Sequence, residues 1–317
     1  MSTPTLSIIT PLYNRAWCIA DCIASTDLKD LSAEMVIVDD GSTDGSVAVA
    51  QATIAALGLD RQVRIVEQDN AGPSIARNRA AEMARGEWLV FLDSDDLWFP
   101  WTVSNLLKVL SSADNSVDLA FTHGINFVDT SELERANNGS LETEIAPSFV
   151  HAVRLNPTSR YGACNAAVRR EAFQDIGGFS PMLKCAEDTD FFLRIRGNVM
   201  LIRQPTLVAL RRSGHESLTG NVPEVVRGFK WMRDHVSSGR YRGSPDDLRS
   251  FLAGSCAYSV KTAFAAGFSL VGYQLYLSHL SLLANPRTRK YMLRLPLTPL
   301  LHFYNPRAYP FRFSRRS

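Results

Sequence analysis

The first hundred residues carry four short apolar runs, Leu6–Thr10, Met35–Val38, Val63–Val66 and Trp88–Leu92, each too short for a helix. Ala16–Thr26, Ser46–Gly58 and Ser74–Arg85 fill the intervals and are long enough to be helices. Strands alternating with helices predict βαβ units and a parallel sheet. Runs with so little polar alternation predict strands buried on both faces. Val103–Leu110 continues as a helix and Val117–Thr122 as a strand. Each of the first four strands ends in polar side chains or glycine: Pro11-Leu12-Tyr13-Asn14, Asp39-Asp40-Gly41-Ser42, Asp69-Asn70-Ala71-Gly72 and Asp93-Ser94-Asp95-Asp96. One such turn is a helix cap. Four in succession line a crevice at the carboxyl edge, where open α/β sheets bind ligands.

Beyond residue 125 the pattern loosens. Thr130–Glu144 is polar and predicts a surface loop, Gly177 and Gly178 mark a turn, and Thr206–Leu210 predicts a strand. Helical composition begins at Glu224, and Leu248–Ala266 and Ser269–Ala284 predict two helices. The expected division is an α/β domain over residues 1–222 and a helical, basic region over 223–317. No apolar stretch reaches the roughly 18 residues that a spanning helix needs. The N-terminus has no basic segment ahead of an apolar one, so a cytoplasmic protein without a secretory signal is expected. Five scattered cysteines in a reducing compartment predict thiols rather than disulfides or a zinc site.

Composition, 45% hydrophobic and 21% charged, is that of an ordinary globular protein, but the net charge of +2 conceals an asymmetry. No Asp or Glu follows Asp247, whereas Leu248–Ser317 holds ten Lys or Arg; the preceding residues hold 24 basic and 32 acidic side chains. A basic end predicts an anionic partner. Nucleic acid is disfavoured, because the segment lacks a periodic basic and aromatic platform and an acidic crevice repels phosphate backbones. An anionic membrane surface, touched peripherally by Arg287–Ser317, fits better, since each basic residue there contributes about 1 kcal/mol.

The carboxylates after Trp88–Leu92 are the strongest chemical signal. Asp93, Asp95 and Asp96 repel one another unless a cation or hydrogen-bond donors offset their charge. A hard divalent ion with a phosphate companion suits them. Asp95 is expected on the metal, Asp93 on the metal or a ribose, and Asp96 as a cap for the helix after Leu97. An EF-hand is excluded here, with Trp98 at its sixth position and Ser104 at its twelfth. Asp39–Ser46 is open between a helix cap, through Thr43 or Asp44, and a base-reading site in which an aspartate accepts the imide N–H of uracil. Gly72 and Pro73 start a helix, and Arg77 in its first two turns can reach a nucleotide phosphate or base edge. Arg79 reads as solvated. Glu187 and Asp188 precede an amphipathic stretch, either as macrodipole complements or as a general base kept apart from the metal ligands. His215 either packs or faces a diphosphate or metal.

Taken in order, TPLYN, VDDGSTDGS, DNAGPSIARN, FLDSDD, RREAFQDIGGF, AEDTDFFLR and LRRSGHESLT resemble the inverting glycosyltransferases of family 2, over about residues 5–220. The resemblance implies a GT-A fold: a Rossmann-like, mostly parallel sheet flanked by helices, here with a C-terminal helical appendage. It implies a nucleoside-diphosphate sugar donor, UDP-linked in the usual case, with Mn or Mg bridging the diphosphate. It also implies a glycan or lipid-linked sugar acceptor, in cell-surface polysaccharide or glycoconjugate synthesis. On this resemblance Pro11, Tyr13 and Asp40 contact the base, and Asp93 and Asp95 form the metal and ribose site. Asp188, of the Glu187–Asp188 pair, is the catalytic base, and His215 meets the diphosphate or metal. Asn14, Asp39, Asn70, Gly72, Arg77 and Ser94 complete the expected donor-binding set. The chain departs from the pattern at Ala186, where Gly or Thr is commoner, and at Cys18 and Cys22. A non-catalytic nucleotide-sugar-binding protein of the same fold is the alternative, opposed by the presence of both acid clusters.

Overall fold

The computed structural model of the chain describes residues 4–28, 32–157, 159, 161–211 and 221–283. His215 and the basic segment Arg287–Ser317 lie outside the described residues. The chain divides into two compact units, one of Met1–Met182 with Glu187–His215 and one of Leu183–Ala186 with Glu216–Ser317.

In the first unit β1 (Leu6–Leu12), β2 (Ala33–Asp39), β3 (Val63–Glu67) and β4 (Trp88–Phe91) form the parallel half of a nine-stranded sheet, in the order β3-β2-β1-β4. Every residue of β2 and β4 is buried, which is why their sequences show no polar alternation. The intervening helices are α1 (Ile19–Ala24), α2 (Ser46–Leu57) and α3 (Pro73–Met83). Gly58, at φ 67, ends α2 in the left-handed conformation that glycine adopts without strain.

The other half of the sheet is mixed. It is built from β5 (Leu97–Trp98), β6 (Val117–Phe127), β7 (Glu142–Ala146), β8 (Ala166–Arg169) and β9 (Asn198–Arg211). Order continues β4-β8-β6-β9-β5, with β7 also on β9. β8 is antiparallel to both neighbours, and β6 is parallel to β9. Both β6 and β9 outrun the expected Val117–Thr122 and Thr206–Leu210, because the β6–β9 ladder continues through register shifts that break the apolar pattern. The expected loop Thr130–Glu144 instead contains a 3₁₀ turn, Thr130–Arg135, capped by Asp129, and the start of β7. Only Ala146 of β7 is buried, so its sequence carries no strand signal.

Helices α4 (Thr102–Ser111), α5 (Phe149–Leu155), α6 (Arg170–Asp175) and α7 (Glu187–Arg194) complete this unit. Buried phenylalanines fix α7 against the sheet: the Phe179 ring lies 5.2 Å from Phe91 of β4 and 4.5 Å from Phe191 of α7. Arg194, paired with Asp190 at 2.9 Å, donates to the carbonyls of Ile176 and Gly178 and locks the helix to the preceding turn.

The second unit is helical, with α8 (Val222–Val236), α9 (Pro245–Ala265), α10 (Ser269–Ser278) and α11 (Leu280–Leu283). The single helix expected over Ser269–Ala284 is interrupted at His279. Among the described residues no helix is long and apolar enough to cross a membrane.

Candidate active site

Hydrogen bonds tie together the strand ends at the carboxyl edge of the parallel half. Asn14, left-handed at φ 50, accepts the Thr43 N–H at 2.8 Å and donates its own N–H to Ser42 Oγ at 2.9 Å, joining the end of β1 to the end of β2. Buried Asp40 joins β2 to the turn after β3. Its Oδ1 accepts from Gln68 Nε2 (2.7 Å) and the Ala71 N–H (2.8 Å), and its Oδ2 from the Gly72 N–H (2.8 Å). Asp44 accepts the N–H groups of Ala16 and Ser46, both at 3.0 Å, which is the capping role weighed for this stretch. Asp39 differs from both. It is buried, its Oδ2 accepts the Ser42 N–H at 3.0 Å, and its Oδ1 has no partner.

The three acids after β4 have three surroundings. Asp93 receives Arg77 Nη2 at 2.6 Å, and Asp95 lies 3.6 Å from Arg15 Nε. Their side chains stay 31% and 20% exposed, open to a ligand. Asp96 is buried and accepts the Arg211 N–H at 2.8 Å. It anchors the end of β9 rather than capping α4. The reason is that Leu97 and Trp98 pair with Ala209 and Val208 as β5, which postpones the helix to Thr102. Beneath the turn, Cys18 and Cys22 approach the carbonyls of Ser94 and Asp93. Burial pushes the Cys18 thiol up to about 12, so it is a neutral donor.

A third acid group comes from α7. Ala186, at φ 64, turns the chain just before it, in a conformation that disfavours a side chain. Asp188 is half-buried, and its Oδ1 accepts the Thr189 N–H at 2.6 Å. Burial raises its carboxyl above the ordinary range, against the opposing pull of the Thr189 hydrogen bonds and Arg77. Glu187 is pushed up to about 7, first by burial and then by the Asp188 charge, with Arg77 opposing. Arg77 is only 6% exposed and spans the acid groups, reaching Asp93 with Nη2 and Glu187 with Nη1 (3.4 Å). Burial alone would lower its pKa, but the two carboxylates outweigh that and hold it protonated.

Pro11, Tyr13, Asn14, Asp39, Asp40, Asn70, Gly72, Ser94, Asp93 and Asp95 thus fall on one edge of the sheet, and Arg77 links that edge to Glu187 and Asp188. Tyr13 is 46% exposed, whereas Ser94 is buried and offers its carbonyl to Cys18. Sequence reasoning missed three neighbours. Arg15 follows Asn14 directly, and Arg211 closes β9, with its Nε donating to the Asp95 carbonyl at 3.0 Å. Cys164 places its sulfur with carboxylate oxygens of Asp93 and Asp96 in a set lying within 4.8 Å of one another. The register that pairs Val90 with Ala167 brings Cys164 opposite Asp93, a juxtaposition no local motif announces.

Residues 7–177 match Glycosyl transferase family 2. An uncharacterised glycosyltransferase of Haemophilus influenzae is 27% identical over 239 residues, covering 73% of this chain and 76% of that protein. The succinoglycan biosynthesis protein ExoU of Rhizobium meliloti is 31% identical over 208 residues, covering 62% of this chain and 58% of ExoU. Of three further curated relatives the chain spans 33%, 40% and 37%. Among solved structures, S. aureus TarS 1-349 in complex with UDP-GlcNAc superposes with a TM-score of 0.68 at 18% identity, over 95% of this chain and 87% of that one. The mannosyltransferase PcManGT of Pyrobaculum calidifontis, in complex with GDP-Man and Mn2+, gives 0.54 at 20% identity, over 97% and 89%. At such identities the likeness is one of fold. The family match covers more than half of the chain, and the protein is a glycosyltransferase of family 2 with the GT-A fold.

Proposed function

We propose that this crevice moves a sugar from a nucleoside-diphosphate donor to a hydroxyl of a glycan or lipid-linked acceptor, by one inverting displacement with Asp188 as base. One observation carries the reading: a single edge holds two acid groups of opposite character, bridged by Arg77. All four are half-buried, but Asp93 and Asp95 are flanked by guanidinium groups, whereas desolvation raises Glu187 and Asp188 above the ordinary carboxylate range. Carboxylates driven apart in this way divide into a ligand-holding and a proton-taking role.

Uridine as the base is supported by the orphan Asp39 Oδ1, an acceptor suited to an imide N–H; Asp40, already holding three donors, sets the turn beside it. The UDP-GlcNAc in TarS points the same way, and the GDP-Man in PcManGT is the competing case. The name of ExoU supports polysaccharide synthesis. Asp93 and Asp95 fit a hard divalent ion, Mn or Mg, as two carboxylates at an accessible edge, with His215 as a further candidate ligand. Such an ion, when bound, supplies neutralising charge for the departing diphosphate.

The chain's own part follows from the geometry. Asp188 takes the acceptor hydroxyl proton as that oxygen bonds to the anomeric carbon, whose bond to the diphosphate oxygen breaks on the opposite face. Arg77 opposes the rise of both Glu187 and Asp188 and so limits how firmly each holds its proton. Residues 1–222 form the proposed catalytic domain. The basic region 223–317 is proposed to rest on the anionic inner face of a membrane, where a lipid-linked acceptor is at hand.

Calorimetry with UDP-, GDP- and dTDP-sugars, with and without Mn, tests the donor and the metal together. The expected result is metal-dependent binding of the UDP-sugar that Asp95→Ala abolishes. Metal-independent binding that survives in this variant would remove Asp95 from the site.

A further inference from the structure

The second unit carries a site that sugar transfer leaves unused. Lys230 and Arg233 of α8 face Gln274 and Ser278 of α10, and His279 just beyond it, across a cavity of 380 Å³. Its floor is apolar, formed by buried Val226 and Leu275, and no lining residue bears a carboxylate. Asp234, the neighbouring acid, takes Arg233 Nε and Nη2 at 2.8 and 2.7 Å. The remaining Nη1 lies 3.1 Å from His279 Nε2. His279 Nδ1 is 2.9 Å from the Leu275 carbonyl, which can only accept, so Nδ1 carries the hydrogen and Nε2 accepts from Arg233. Lys230 is exposed and makes no ion pair among the described residues. Two cations, Lys230 and Arg233, and three further polar groups, Gln274, Ser278 and His279, thus converge over an apolar base.

The face beside this cavity is apolar and exposed. At 100° per residue, Leu270 and Leu277 fall next to Gln274 and Ser278 around α10, and Tyr273 falls just beyond them. Their exposures are 73%, 62% and 36%, large for side chains of this kind. α10 contains no charged residue, and Phe268 before it is 47% exposed. The packed side of the helix lies elsewhere, where Gly272 meets the Phe264 ring of α9 so closely that an added Cβ would lie 2.5 Å from it. A cationic hollow bordered by exposed leucine and tyrosine complements an amphiphile, with an anionic head and a hydrocarbon body. Charge agrees, since no acidic residue follows Asp247.

We propose that this face of the second unit binds the phosphate headgroup of an anionic membrane lipid. Lys230 and Arg233 take the phosphate, the Gln274 amide donates to it, and Leu270, Tyr273 and Leu277 enter the acyl boundary. The inference deepens the membrane contact proposed above by naming its residues, and it is independent of the donor chemistry.

Flotation of the full-length protein with vesicles tests it, comparing phosphatidylcholine alone with phosphatidylcholine containing phosphatidylglycerol. The wild type is expected to float only with the anionic vesicles. The double variant Leu270→Glu and Leu277→Glu is expected to weaken binding by more than about tenfold. Lys230→Glu is expected to weaken it by about fivefold or more. These positions are exposed, so circular dichroism and UDP-sugar hydrolysis should stay at wild-type values in both variants, which separates this outcome from any failure of the sugar-transfer reading. Wild-type flotation of the double variant would overturn the proposal, because the basic end alone would then hold the vesicle. Displacement by millimolar inorganic phosphate would also overturn it, by showing a site for the free anion rather than the lipid.

Discussion

Two carboxylates of the first unit, buried Glu34 and half-buried Glu187, lose water at opposite ends of the sheet, and the fold treats them in opposite ways. Glu34 lies at the start of β2. Its Oε1 accepts from Ser7 Oγ (2.8 Å) and the Arg85 N–H (2.7 Å); its Oε2 accepts from Arg85 Nε and Nη2 (3.0 and 2.7 Å) and from Arg64 Nη2 (3.3 Å). Burial would raise its pKa, but these donors prevail and hold it below the ordinary range. Glu187, past the other end of the strands, has Arg77 at 3.4 Å, and burial wins. Both acids have an arginine, so the partner alone does not decide. The number of donors converging on the charge does. An acid saturated with donors holds structure together, whereas one left short of them is kept near its proton, ready to exchange it.

The two acids tilt stability in opposite senses. Glu34, with a depressed pKa, adds stability above its unfolded value near 4.5 that is lost as pH falls through its folded value. Glu187, raised to about 7, favours the folded state below about 4.5, and that contribution is lost as pH rises from there to about 7.

The contrast can be broken from either side. The largest expected effect is on chemistry: Asp188→Asn should lower turnover roughly 10²–10⁴-fold while leaving donor binding by calorimetry nearly intact. Unchanged turnover would remove Asp188 from the role of base. The matching change at the structural end, Glu34→Ala, should cost about 3 kcal/mol in urea unfolding and leave kcat alone. That figure sits at the low end for a broken buried pair because Arg85 is 52% exposed and can turn to water. A sharp fall in kcat at unchanged stability would erase the distinction between the two ends. The smallest effect concerns the turn before Glu187. Ala186→Gly should relieve left-handed strain and raise stability by up to about 1 kcal/mol, read as a small rise in melting temperature.

The same contrast explains what the sequence disclosed. The strands of the parallel half were legible because they are buried on both faces, and the acids at their ends were conspicuous because they follow apolar runs without a spacer. Their individual duties were not legible. Asp39 and Asp40 are adjacent, yet one carboxylate is saturated by donors from the turn after β3 and the other keeps an orphan oxygen, which depends on how β2 and β3 pair. Asp96 resembled a helix cap until its true partner, the Arg211 N–H, came from 115 residues away. Arg77 reads from the sequence as a donor ligand, and nothing local announces its ion pair with Glu187, 110 residues on. Long-range electrostatics decided these roles, and periodicity carries no record of it.

The pH dependence of kcat/KM reads the protonation of Glu187 and Asp188 in the free enzyme, on which the assignment of the base turns. Activity is expected to rise with pH through a limb above the ordinary carboxylate range. Arg77→Met should move that limb to higher pH, because it removes the charge that restrains Glu187 and Asp188. A profile flat down to about pH 5, unchanged by Arg77→Met, would contradict that assignment.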